Sequence, residues 1–210
     1  MKTKICDRPT MLFVIVYIVL AVLDFVPLHF PAMMVFPLLW LTMCAIYKCQ
    51  WTLAGALFFS FMGDVMGWQN EIIPQIGFFA LAQILYIIIF TLLLPRNDIW
   101  PTKVRAFFLF VVAFIYLVAM TWIFPRVSDG VVSAGIAVYA VLLLGMCYSA
   151  LCHRNVCLMA GATLFVASDF ILGTHLFVHR FPHGHLLIMI PYYLGQVLLF
   201  LGVVTTNKNR

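Results

Sequence analysis

Charge is what this chain has least of. Asp, Glu, Lys and Arg make up 9% of its 210 residues, against 65% that are hydrophobic. A soluble domain of this size could not hide that much apolar surface, so the class is integral membrane protein. The formal net charge of +5 does not point to a nucleic-acid partner, because the basic residues stand singly and form no patch. Also missing are a G-x-S-x-G elbow, a P-loop and a dinucleotide fingerprint. The run Met11 to Leu23 behind Lys2, Lys4 and Arg8 resembles a signal peptide, but no small-residue cleavage site follows it. Seven more apolar segments do follow, so it reads as a first span.

What is present is a succession of apolar runs near the length of about 20 residues that crosses a bilayer. They fall at roughly 10–27, 30–47, 52–68, 72–94, 104–124, 131–151, 157–177 and 186–205, and the breaks carry turn residues, charge or histidine. The expectation is an all-α polytopic bundle of eight spans forming a single transmembrane domain over 1–210. Ten Lys and Arg (Lys2, Lys4, Arg8, Lys48, Arg96, Lys103, Arg105, Arg154, Lys208 and Arg210) fall on one side of such a bundle, and two (Arg126 and Arg180) on the other. The positive-inside rule then makes both termini cytoplasmic. Cys6, Cys44, Cys49, Cys147, Cys152 and Cys157 lie at or near the cytoplasmic ends, where a reducing compartment keeps thiols unpaired. His29, His175, His179, His183 and His185 fall on the opposite side.

Two segments break the apolar rule from within. Leu57 to Gly67 (LFFSFMGDVMG) sets Asp64 inside span three, with Ser60 one turn before it and Trp68 one turn after, on a shared face. Leu164 to Gly173 (LFVASDFILG) sets Asp169 inside span seven, preceded by Ser168. A carboxylate at helix mid-depth costs about 2.5–3.5 kcal/mol on insertion scales, and such groups face a bundle interior or a wet cavity. Cys44/Cys49 and Cys152/Cys157, each C-x₄-C, precede the two aspartate-bearing spans, which suggests a 4+4 parallel repeat about an axis along the membrane normal. Other polar groups gather at the aspartates' level: Gln83 and Tyr86 in span four, and Tyr192, Tyr193 and Gln196 in span eight. Asp24 is either a third carboxylate of the site or an interfacial residue. Pro37 and Pro74 are expected to kink spans two and four, and Gly63 and Gly67 form a G-x-x-x-G that marks close helix packing.

Two metal readings arise. His175, His179, His183 and His185 offer imidazoles at the outer end of span seven, but only His175 and His179 have helical spacing, and His175 is turned away from Asp169. The paired C-x₄-C turns could gather four thiolates, at looser spacing than usual zinc ribbons. Neither displaces the carboxylates as the centre of the site, and no metal is assigned.

GALFFSFMGD in span three, GFFALAQILY in span four, ATLFVASDFILG in span seven and PYYLGQVLLFLG in span eight together resemble the YhhN family of membrane proteins, whose characterised members are lysoplasmalogenases. The pairs Gly63-Asp64 and Ser168-Asp169 are the most specific parts of the resemblance. The chain departs from the family's common pattern at Phe36-Pro37, where a Lys-Pro is frequent, and at Gln83, where many relatives carry histidine. The resemblance implies an eight-helix bundle and hydrolysis of a lysoplasmalogen vinyl ether to a fatty aldehyde and a glycerophospho-alcohol, without metal or organic cofactor.

Enol ethers hydrolyse by protonation at the outer vinyl carbon, which gives an oxocarbenium ion that water captures. Glycosidases meet a similar cation with two carboxyl groups. Burial, and a second carboxylate nearby, both favour the protonated form that a general acid needs. Asp64 and Asp169 are therefore the expected catalytic pair, with acid and stabiliser not distinguished. Ser60, Gln83, Tyr86, Ser168, Tyr192 and Gln196 are the expected contacts to the lipid or the water. The partner is a lipid substrate entering laterally from the bilayer. A bacterial inner membrane fits this reading, with endoplasmic reticulum as the eukaryotic counterpart. The competing readings are a proton-coupled transporter or lipid-binding protein, which intramembrane carboxylates also suit, and a zinc-dependent membrane hydrolase using the outer histidines.

Overall fold

The computed structural model describes residues 8–26, 33–94 and 99–207. Lys2, Lys4, Cys6, His29, Arg96, Lys208 and Arg210 lie outside the described residues. Among the described residues eight α-helices follow one another: α1 (Arg8–Leu23), α2 (Phe36–Tyr47), α3 (Trp51–Trp68), α4 (Ile72–Ile88), α5 (Thr102–Trp122), α6 (Gly130–Leu151), α7 (Val156–Phe177) and α8 (Gly184–Asn207). No strand occurs among the described residues. Five apolar stretches built on α4 to α8 are long enough to cross a membrane: Ile72–Leu93, Thr102–Arg126, Gly130–Leu151, Val156–Phe177 and Gly184–Thr206. Arg8–Leu23 and Met33–Tyr47 are apolar but shorter. The protein is an integral, multi-pass membrane protein.

Local chemistry explains where the helices begin and end. Asn155 caps α7, its side-chain oxygen accepting from the N–H groups of Cys157 (2.9 Å) and Leu158 (3.2 Å). Asp129 caps α6 in the same way through Val131 and Val132. α2 and α3 both end by a left-handed residue, Cys49 (φ 55°) and Asn70 (φ 62°). The next residue's N–H then reaches back to the last turn, Gln50 to the Ala45 carbonyl and Glu71 to the Met66 carbonyl. This closure satisfies orphan carbonyls and reverses the chain in a few residues, which makes α2, α3 and α4 a tight pair of hairpins.

The prolines behave differently from expectation. Pro37 lies in the first turn of α2, and Pro74 is the third residue of α4. Their missing N–H groups are among those a helix start leaves unbonded anyway, so both prolines begin helices and neither bends one. The proline within a helix is Pro191 in α8. α4 instead departs from regularity at its other end, where Ile89–Leu93 forms a widened turn closed by Leu94 N–H on the Ile89 carbonyl at 2.9 Å. The Phe90 carbonyl of that turn accepts from Nε2 of the buried His153 at 2.7 Å.

Packing follows the same order in the two halves. α1 lies on α2, α2 on α3 and α3 on α4, while α5 lies on α6, α6 on α7 and α7 on α8. Further contacts join the halves, among them α4 with α6, α2 with α8 and α1 with α8. The α7–α8 pair is drawn together by glycine: a Cβ at Gly161 would come within 2.9 Å of the Gly195 carbonyl, and one at Gly195 within 3.0 Å of the Gly161 carbonyl. α5 is the outlier, with Val112 as its one buried residue, so most of its surface faces outward.

Candidate active site

Asp64 sits on α3 and is buried. Tyr192 on α8 donates its hydroxyl to Asp64 Oδ2 at 3.0 Å. One turn beyond Tyr192 lies Gln196, whose Oε1 accepts from the Tyr86 hydroxyl of α4 at 2.8 Å. The consecutive helices α3 and α4 are thus both tied to the distant α8 through side-chain hydrogen bonds. Tyr17 of α1 closes another side, donating to the Tyr193 carbonyl at 2.9 Å and lying within the electrostatic reach of Asp64.

Asp169 on α7 is only part-buried, and the Tyr139 hydroxyl of α6 donates to its Oδ2. Asp169 and Asp24 both lie within electrostatic reach of Asp64. The ring of Phe79 on α4 lies between the two sets of groups. Its centroid is 6.5 Å from that of Tyr139 and 6.2 Å from that of Tyr192. On the α3 side Phe79 presses on Gly63, where a Cβ would come within 2.9 Å of the ring. Gly67 similarly receives Gln75, at 2.5 Å from such a Cβ. The G-x-x-x-G of α3 is therefore the seat for two α4 side chains.

An apolar groove of about 850 Å³ of open space runs between α4, α5, α6 and α7. Ile115, Ala119, Leu143 and Leu176 are among its walls, and Asp169, Tyr139 and Gln75 are its polar members. Phe79 forms part of the wall, whereas Asp64 and Tyr192 do not line it. The cavity volume proper is about 110 Å³, a narrow slot rather than one of the pockets of about 300–1,000 Å³ common for small molecules.

The residues singled out by sequence are therefore brought together in part. Asp64, Tyr192, Gln196 and Tyr86 are joined by hydrogen bonds. Ser60 and Gln83 are wholly buried, and Ser60 Oγ, both amide atoms of Gln83 and Nε2 of Gln196 have no hydrogen-bond partner in the protein. Gln83 does lie close enough to the Tyr139 hydroxyl to influence it. Ser168 turns elsewhere: its hydroxyl donates to the Ile188 carbonyl of α8 at 2.8 Å, near the point where Pro191 interrupts that helix's own bonding. Trp68 is exposed at the end of α3.

Asp24 joins a second cluster. Its Oδ2 accepts from the Tyr193 hydroxyl at 3.0 Å and pairs with His185 Nε2 at 2.8 Å. His175 Nδ1 accepts from the Phe181 N–H at 3.1 Å. Those two histidines are thus committed to different partners, and among the described residues no three His, Cys, Asp or Glu side chains converge as metal ligands. Cys44, Cys49, Cys147, Cys152 and Cys157 are free thiols.

Tyr139, Phe79 and Tyr17 were not anticipated. The two tyrosines were visible as hydroxyl-bearing residues within apolar spans, while Phe79 carried no signal that set it apart from its phenylalanine neighbours.

With two carboxylates held by tyrosines at the meeting of six helices, the comparison with known proteins gains its meaning. The family model described as YhhN family matches residues 25–203. The chain belongs to the YhhN family. Its relatives within reach of sequence comparison include a lysoplasmalogenase TMEM86B of Sus scrofa, 30% identical over 158 residues, which covers 74% of this chain and 65% of that protein. A lysoplasmalogenase TMEM86B of Homo sapiens is 30% identical over 153 residues, covering 72% of this chain and 63% of that protein. The chain thus spans just under two thirds of the length of these curated relatives. No solved structure matches it.

Proposed function

We propose that this YhhN-family chain is a membrane-embedded hydrolase that cleaves the vinyl ether of a lysoplasmalogen or closely related lysolipid. The observation that carries the reading is the apolar groove with Asp169 in its wall. A groove of that kind accepts one hydrocarbon chain, and the carboxyl group meets the chain where an enol ether would lie. The names of the mammalian relatives point to the same substrate class.

The reaction follows from these groups. A carboxyl group protonates the outer vinyl carbon, and the positive charge settles on the carbon bound to oxygen. The second carboxylate steadies that cation and directs water onto it. The hemiacetal then collapses, so that R–CH=CH–O–R′ and H₂O become R–CH₂–CHO and HO–R′. Asp64 and Asp169 supply the two carboxyl functions, and Gln83, Tyr86, Tyr192, Gln196 and Ser60 order the polar end of the reactants. Ser168 supports the site through its bond to α8.

The architecture proposed with this function is one transmembrane unit of eight spans, α1 to α8, with both termini cytoplasmic. The distribution of Lys and Arg between alternate loops supports that orientation. The repeated order of packing, α1 to α4 against α5 to α8, supports a parallel 4+4 repeat. The sparsely buried α5 fits lateral entry of a single-chain lipid into the groove.

The deciding experiment is aldehyde release from a lysoplasmalogen by the purified protein, with and without chelator, beside Asp64→Asn and Asp169→Asn. Chelator-resistant release that disappears in both variants is the expected result. Full activity in both variants would overturn the assignment of the pair. Proton-driven lipid flux into proteoliposomes without product would favour the transporter reading instead.

A further inference from the structure

The two carboxyl groups do not share one compartment. Asp169 and its partner Tyr139 line the apolar groove, while Asp64 and its partner Tyr192 do not. Phe79 stands between the two tyrosines, its ring seated against Gly63 beside Asp64. On the Asp64 side lie Ser60 Oγ and Gln196 Nε2, both buried and without a hydrogen-bond partner in the protein, whereas Gln83 faces the Tyr139 hydroxyl. A buried polar atom left unbonded is costly, and Ser60, one turn from Asp64, and Gln196, one turn from its partner Tyr192, together with the carboxyl group offer a site for a small polar ligand. Water fits that chemistry, since these groups can donate to it or accept from it.

We propose that Phe79 is a partition between a lipid groove and a closed water chamber, and that this partition divides the roles of the aspartates. The inference rests on the hydrolase reading above and deepens it. Asp169, in the groove, is the acid that gives its proton to the outer vinyl carbon. Asp64, in the chamber, is the base toward water: as the new C–O bond forms, the water proton passes to Asp64. Collapse of the hemiacetal restores both groups. Asp169 takes the hemiacetal hydroxyl proton, Asp64 returns its proton to the departing glycerol oxygen, and the C–O bond to glycerol breaks. Ser60 and Gln196 hold the water and are positioning residues for it.

A closed chamber selects its nucleophile by size. Excluding one additional methyl group is worth about 10–200-fold in such sites. The test supplies a 1-alkenyl lysophospholipid to the purified protein in buffer containing methanol and measures, by mass spectrometry, the mixed methyl acetal against the free aldehyde. Methanol capture of the oxocarbenium ion gives R–CH₂–CH(OCH₃)–O–R′, with the methanol proton released to the base. Wild type is expected to form aldehyde almost alone. Phe79→Ala is expected to raise the acetal-to-aldehyde ratio by about tenfold or more, and Phe79→Leu, which keeps a filled wall, by less. Phe79→Leu also serves as the informative variant should the alanine protein fail to fold. An unchanged ratio in a folded variant of an active enzyme overturns the partition and leaves the hydrolase reading standing. A wild type that forms neither product overturns the hydrolase reading, and the partition with it.

Discussion

The Tyr139 hydroxyl of α6 donates to Asp169 of α7 at the wall of the apolar groove. Neither residue is fully buried, and the bond fixes which oxygen of the carboxyl group is committed to the protein and which can face the groove. Tyr139→Phe removes this donor while keeping the ring that packs on Phe79. A hydrogen bond to a charged group contributes about 1.5–3 kcal/mol, so kcat is expected to fall about 10–100-fold with KM little changed. Steady-state aldehyde release across substrate concentrations checks this, and a rise in KM alone would contradict the proposed role.

Asp64→Asn and Asp169→Asn each keep the size of the side chain and remove its acid–base function. Each is expected to lower turnover by about 10²–10⁴-fold. Because the two groups act on one reaction, the double variant should be little worse than the weaker single variant. Multiplicative losses in the double variant would mean that the two carboxyl groups act independently.

Substrate chain length should respond to the space left free in the groove. Ala119 and Ala140 line it with the smallest side chains available at those positions. Ala119→Phe or Ala140→Phe fills space that a hydrocarbon chain would occupy. Each buried methylene denied to the substrate weakens binding by about 0.8 kcal/mol, so KM should rise for long alkenyl chains and change little for short ones. A uniform change across chain lengths would place the hydrocarbon elsewhere.

Much of this was legible in the sequence because the membrane simplifies the problem. Apolar runs end where the backbone must leave the bundle, so the expected spans at 52–68, 131–151 and 157–177 lie within a residue of α3, α6 and α7. Asp64 and Asp169 stood out because a carboxylate among apolar residues is costly unless partnered. What was not legible was the identity of the partners. Tyr192 was anticipated as part of the site, but Tyr139 looked like any isolated tyrosine in a span. Phe79 could not be told from Phe78, because position along a helix does not reveal which ring meets a glycine on the next helix. The kinks assigned to Pro37 and Pro74 failed for a related reason. A proline's effect depends on its distance from the helix start, and both stand in a first turn.

The crossing of α7 and α8 gives a prediction about stability. At Gly161 and Gly195 each backbone occupies the space that the other's Cβ would need. Gly161→Ala or Gly195→Ala would push the two helices apart, and overpacking of this kind costs about 1–3 kcal/mol. Since Asp169 and Tyr192 sit on these two helices, activity should fall together with thermal stability in detergent. Gly77→Ala is the control, because nothing lies within 4 Å of the added atom. It should match wild type in both measurements.

Asp24 belongs to a different cluster from the two carboxyl groups proposed to be catalytic. Its Oδ2 ties the end of α1 to α8 through Tyr193 and His185. The Tyr193 hydroxyl also lies 3.2 Å from the Met34 carbonyl just before α2. The cluster is thus a strap across three segments at one end of the bundle, and it has no place in the groove. Asp24→Asn retains an oxygen able to accept from Tyr193 and His185, so turnover is expected to stay within about twofold of wild type. Asp24→Ala removes the acceptor altogether. Tyr193 then falls back on the Met34 carbonyl and the half-exposed His185 on solvent, which limits the loss of stability to about 1–2 kcal/mol. Thermal unfolding and aldehyde release, measured on both variants beside Asp64→Asn, decide the matter. A loss of turnover in Asp24→Asn as deep as that in Asp64→Asn, at unchanged stability, would bring Asp24 into the chemistry. Lower stability with retained turnover in Asp24→Ala would fix its role as the strap.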